Sequence, residues 1–158
     1  MKAVQYGAGS QTMKFFYHFS RIVFGAWFVF SGGEYFFPQL GLQPLGKTPL
    51  AIEFTEALIH SGLFVWIKAI EVIVGLLVLA NRAMLPANLA VLPLTIVIVY
   101  WNLVLDPGVV EYAFGIATLV FNLAMLWPYR AKIWALLEWR PRPDFGLALR
   151  GNADSKNA

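Results

Sequence analysis

Four long apolar stretches, separated by short polar breaks, occupy most of this chain and leave few folds open to it. They run roughly from Phe15 to Phe37, Gly62 to Ala80, Met84 to Leu105 and Val109 to Trp127. A helix rising 1.5 Å per residue needs about 20 residues to cross a hydrocarbon layer of about 30 Å, so each stretch has spanning length. Only 13% of the 158 residues are charged and 59% are hydrophobic, against roughly 25% charged in a soluble domain; the mean hydropathy is +0.63. A soluble core cannot absorb that much apolar surface. The expected fold is an all-α membrane protein, a bundle of four transmembrane helices with the lipid bilayer as its first partner.

The breaks suit this reading. Pro38 to Pro49 is rich in glycine and proline, Asn81-Arg82 is a tight charged turn, and Asp106-Pro107-Gly108 is a strong turn tripeptide. Short turns make the second, third and fourth stretches an antiparallel series. Between the first two, PLAIEFTEALIH has Thr48 as a candidate N-cap and Pro49 at the first helical position. Leu50, Phe54 and Leu58 fall on one face, Glu53, Glu56 and His60 on the other, predicting a short amphipathic helix on the outer surface. Residues 1–128 form one unit of four helices on this division. Residues 129–158 follow as a basic interfacial helix, ended by Pro141 and Pro143, and a disordered tail from Gly151. Met1 to Gln11 are polar and glycine-rich, and the first apolar stretch ends in Gly33-Glu34-Tyr35 without a small-x-small cleavage site, which favours a retained first span.

Orientation follows from lysine and arginine. With the N-terminus inside, Lys2, Lys14, Arg21, Arg82, Arg130, Lys132, Arg140, Arg142, Arg150 and Lys156 all fall on the inner side, ten of the twelve. The positive-inside rule then gives N-in, C-in. The same sorting explains the net charge of +3 without a nucleic-acid partner. The absence of cysteine excludes thiolate nucleophiles, cysteine-ligated clusters and CxxC redox chemistry.

Charges inside a bilayer are costly unless paired or hydrated, and so are candidates for function. Lys68 and Glu71 are three residues apart on one face of the second stretch, with Glu71 near mid-bilayer. They make either a structural ion pair or a proton relay. Asn102 and Asp106 repeat at i, i+4 in the third stretch, Glu111 opens the fourth, and Glu34 lies near the outer end of the first. If the bundle closes, Glu34, His60, Lys68, Glu71, Asn102, Asp106 and Glu111 converge on one polar cavity opening outward. Arg21, about one turn into the first helix, either joins a functional site or snorkels to phosphates. Asn122 is read as interhelical glue, and Gly25, Gly32, Gly33, Gly75, Ala113, Ala117 and Ala124 as small faces for close helix approach. His18 and His60 lie about a membrane thickness apart, so one protomer cannot pair them on a haem, and no motif spacing supports a metal site.

The runs RIVFGAWFVFSGGEYF and SGLFVWIKAIEVIVGLLVLANR, with the hydrophobic hairpin after them, resemble the DoxX family of small four-helix membrane proteins. The resemblance covers about Arg21 to Leu126. It rests on Arg21 and Gly25, Ser31-Gly32, Ser61-Gly62 and Glu71-x-x-x-Gly75-Leu76-Leu77. Family members often carry a basic residue soon after the glycine of the first helix, where this chain has Glu34 and Tyr35. The resemblance implies a bacterial or archaeal inner membrane and an association with redox systems: one branch looks like a subunit of thiosulfate:quinone oxidoreductase, another accompanies methylamine dehydrogenase maturation. The expectation is a membrane subunit or partner of a quinone-linked redox system, with quinone as a non-covalent ligand and the redox centre supplied by a partner protein. No cofactor ligands or nucleophile are recognisable in the chain itself. The alternatives are a non-catalytic assembly protein and, ranked lower, a small proton-coupled transporter, which would need a homo-oligomer to form a pathway.

Overall fold

The structure is a computed structural model that describes residues 3–37, 39 and 45–137, with side chains from Gln11 onward. The described residues are mostly helical, joined by short turns, with no strand among them. The order is α1 (Ala3–Phe36), α2 (Pro49–His60), α3 (Leu63–Leu79), α4 (Met84–Tyr100) continuing into a π turn at Trp101–Leu105, α5 (Val109–Leu126), a 3-10 turn at Trp127–Tyr129, and α6 (Arg130–Leu136). Most of the predicted C-terminal segment, with Arg140, Arg142, Pro141, Pro143 and the tail, lies outside the described residues.

Two segments, Met84–Leu105 and Val109–Leu136, are by length and composition able to cross a membrane, each containing an 18-residue stretch of mean hydropathy 2.0 and 1.8 respectively. Together α2 and α3 have the required composition but bend by 90° at their junction. His18, Ser20, Arg21 and the Ser31–Glu34 run interrupt the apolar sequence of α1. Large apolar side chains on the outside of the helices, among them Ile73, Leu76, Ile96, Val104 and Ile116, are each more than half exposed. Such an exterior suits lipid and would be a large sticky patch in water. The chain is a membrane protein.

The core follows from spacing. On α4 the buried positions Met84, Asn88, Val91 and Thr95, then half-buried Ile98 and buried Asn102 and Leu105, step alternately by four and three residues. On α5 Gly115, Thr118, Asn122 and Met125 step by three, four and three. This 3-4 alternation is the seam by which two helices pack at a shallow angle. Polar residues recur along it because, in lipid, small and hydrogen-bonding groups are what hold helices together. On the other side of the bundle α1 lies against α3. A Cβ on Gly75 would come within 2.8 Å of the Val29 backbone nitrogen, and one on Gly32 within 2.8 Å of the Lys68 carbonyl oxygen. Side chains there would force the helices apart. Phe24 and Phe28, stacked 4.1 Å apart, fill the centre with Val74, Val78, Met84, Val91 and Met125.

Some expectations need correction. Helix α1 begins at Ala3, well before Phe15, so the polar N-terminal residues extend the helix. The third stretch is not uniformly α-helical, because its last five residues widen into a π turn. Helix α2 forms where predicted, capped by Thr48 through its acceptance of the Ala51 N–H, but it is rotated. Ala51 and Thr55 are buried, whereas Leu50 is 56% exposed; the small residue at position 51 lets α2 sit close to its neighbours, and that contact sets its face. Ala113 likewise points outward. The close approach on α5 is made by Gly115, where a Cβ would meet Leu103 at 2.7 Å and Asn102 at 3.0 Å.

Candidate functional site

The end of the bundle covered by α2 encloses a cavity of about 390 Å³ between α1, α3, α4 and α5. Its roof is made by Phe54, Thr55 and Leu58 of α2 and by the approach segment Leu45-Gly46-Lys47. Three interactions hold that roof down. Asp106, buried at the end of the π turn, accepts the backbone N–H groups of Lys47 at 2.8 Å and Thr48 at 2.9 Å. The Thr48 hydroxyl donates to the Leu105 carbonyl, and the Trp101 indole N–H donates to the Thr55 hydroxyl at 3.2 Å. The π turn makes this possible. Its Asp106 N–H to Trp101 carbonyl bond, 2.8 Å long, widens the helix by one residue and leaves Asn102, Leu105 and Asp106 all turned inward. Such widened turns recur at functional positions.

On the floor, Lys68 and Glu71 are both buried, 4% exposed each. The Lys68 ammonium donates to Glu71 Oε2 at 2.9 Å and to the Ser31 hydroxyl of α1 at 3.0 Å, and it lies 5.1 Å from the centre of the Phe64 ring. Two of its three hydrogens are thus engaged inside the protein, leaving one to point elsewhere. A buried pair of this kind repays its desolvation only when its geometry is good and its remaining hydrogens find partners.

Glu34, half-buried on α1, also lines the cavity. It has no hydrogen-bond or ion-pair partner among the described residues. The Asn102 side-chain amide donates to the Ile98 carbonyl at 2.8 Å, which leaves its carbonyl oxygen unengaged. Trp27, Phe28, Trp101 and Phe114 supply aromatic walls. At the rim Lys47 pairs with Glu111; this hydrogen bond holds the Lys47 ammonium above the ordinary lysine value, against the opposing effect of desolvation.

Of the residues singled out from the sequence, Glu34, Lys68, Glu71, Asn102, Asp106 and Glu111 therefore share one cavity. His60 does not: it is the last residue of α2 and is exposed, because the chain turns sharply there through Gly62, whose φ of +76° is left-handed. Arg21 lies at the opposite end, where its guanidinium donates to the Leu79 carbonyl at 3.3 Å and so caps the C-terminus of α3. Asn122 does act between helices, donating to the Asn88 side-chain oxygen at 3.1 Å. Sequence reasoning passed over Ser31, Trp27, Trp101 and Thr55 as site residues. Trp27, Ser31 and Glu34 are spaced i, i+4, i+7, one face of α1, and that signal was available. The roof contacts of Trp101 and Thr55 depend on how α2 folds back and left none.

Among the described residues no group of three or more histidines and carboxylates is placed to hold a metal ion. Compared with family models, with curated proteins and with solved structures, the chain matches none.

Proposed function

We propose that the chain is a four-span, DoxX-like membrane protein, N-in and C-in, that binds the head of a quinone or quinol in the cavity beneath α2 and serves as the membrane subunit of a redox system. A partner redox protein supplies the two electrons, and the cavity handles the two protons that convert quinone to quinol. The observation that carries the reading is the combination, in one half-open cavity, of aromatic walls with the buried Lys68–Glu71 pair. A flat ring stacks on Trp27 or Trp101. The free hydrogen of Lys68 suits a quinone carbonyl, while the unengaged Asn102 oxygen and the Glu34 carboxylate suit quinol hydroxyls. Glu71, hydrogen-bonded to Lys68, is the group able to exchange a proton with the head.

A second reading has its own observation. Every charged side chain lining the cavity except Glu34 already has an internal partner, as expected if these groups only fix the packing of an assembly factor. The two readings part at Glu71→Gln. Purified in mild detergent, the wild-type protein is expected to carry extractable quinone and to co-purify with a redox protein, and the variant to lose the quinone while staying folded. Undiminished function in Glu71→Gln would favour the structural role, and a wild-type preparation with neither quinone nor redox partner would end the first reading.

A further inference from the structure

A second, almost wholly apolar groove runs along the outside of the bundle between α1 and α5, lined by Val23, Phe24, Ala113, Ala117, Thr118 and Phe121. It does not stand apart from the polar cavity. Trp27, Val110 and Phe114 line both spaces, and where they meet Trp27 and Phe114 form an edge-to-face pair with ring centres 4.5 Å apart. Both rings are more than a third exposed. No described hydrogen bond holds the Trp27 indole in place, so a rotamer change at Trp27 opens the partition without breaking a polar contact.

From this continuity we infer that the cavity is filled sideways from the bilayer: a lipid-dissolved amphiphile passes between Trp27 and Phe114, leaves its polar head in the cavity and lays its apolar tail in the α1–α5 groove. The inference rests on the ligand-binding reading above and adds the route and the tail site. Three features agree with it. The groove starts at Val109 and Val110, the latter also lining the cavity, and continues to Phe121, twelve residues along α5 from Val109, or roughly 18 Å at 1.5 Å per residue. It runs away from the polar end, so a tail lying in it takes the same direction as the chains of a neighbouring lipid. Small residues, Ala113 and Ala117, form the α5 side and leave the width a methylene chain needs. The cavity also selects the head. Its unengaged groups are mainly acceptors, the Glu34 carboxylate and the Asn102 oxygen, which favours a head that donates hydrogen bonds.

The test uses the full chain in phosphatidylcholine nanodiscs and a photoreactive probe, a hydroquinone bearing a decyl chain with a diazirine at its far end. Irradiation followed by peptide mapping should give saturable adducts on Val23, Ala117 or Phe121, and the dimethyl ether of the same probe, which cannot donate, should give fewer. Ala117→Phe, which fills the groove and leaves the cavity open, should reduce these adducts to background; Ala113→Phe at the exposed rim serves if the first variant does not fold. Saturable adducts confined to α2 or to residues 45–47 would overturn the lateral route and leave the cavity reading standing. Absence of any saturable adduct would overturn both.

Discussion

The two ends of this bundle bury polar groups in opposite ways. At the end away from α2, Asn88 and Asn122 are fully buried and hydrogen-bonded to each other, with Phe24, Val78, Val91 and Met125 packed around them. These two groups are neutral amides. At the α2 end the buried groups are charged, a cavity lies among the helices, and a separate helix, tied to Asp106 through Lys47 and Thr48, covers it. Neutral amides inside a close-packed seam are the means by which membrane helices recognise each other. Charges kept beside an open space are costly and contribute less to packing, so their presence points to use. On the proposed reading, function belongs to the α2 end and assembly to the other.

The largest expected effect breaks the charged end. Lys68→Met leaves Glu71 buried without its counter-charge and should destabilise the protein by about 3–5 kcal/mol, read as a lower melting temperature in detergent. The double change Lys68→Met with Glu71→Leu removes both charges and should restore most of that stability. If the single change is harmless, the pair is hydrated and the contrast between the two ends weakens. Next comes the neutral end: Asn88→Ala removes the side-chain acceptor of the Asn122 amide, together with the Asn88 amide's own bond to the Met84 carbonyl, and opens a small void, for an expected loss of about 2 kcal/mol, seen by melting and with no effect on ligand binding. A binding defect in this variant would blur the division of labour.

Asp106→Asn keeps the shape of the roof tether but not its charge, and about 1 kcal/mol of local stability should go with it. The global melt should barely move, while backbone amides of α2 should exchange hydrogen faster than those of α4. Equal exchange in both helices would mean that α2 is not a separately held cover. The smallest effect is expected for Lys47→Ala, since the Lys47 side chain is largely in solvent: melting should be unchanged at all salt concentrations, because exposed ion pairs are screened and entropically costly.

Much of this architecture was legible in the sequence, because the signals were local. Thr48 and Pro49 announced the start of α2, Asp106-Pro107-Gly108 announced the turn into α5, and the i, i+3 spacing of Lys68 and Glu71 put them on one face. The apolar stretches gave the helices within a few residues, except at the start of α1, which lies twelve residues before Phe15. What was not legible depended on how elements meet. Leu50 looks like a core residue by pattern, but the core contact is made by Ala51, because α2 approaches too closely for a larger side chain. His60 belongs with the acidic residues by composition and is carried away from them by the turn at Gly62. The π turn has no distinct signature in Trp101–Leu105. It is stabilised by the contacts of Asp106 and Trp101 with a segment some fifty residues earlier in the chain.

The central claim is that the charged cavity serves a ligand and not the fold. Its most direct test is the quinone content of purified wild-type protein set beside that of the Lys68→Met, Glu71→Leu double variant, after both have been shown to melt at similar temperatures. The account predicts bound quinone in the wild type and none in the equally stable double variant. Equal quinone in both proteins, or none in the wild type, would contradict it.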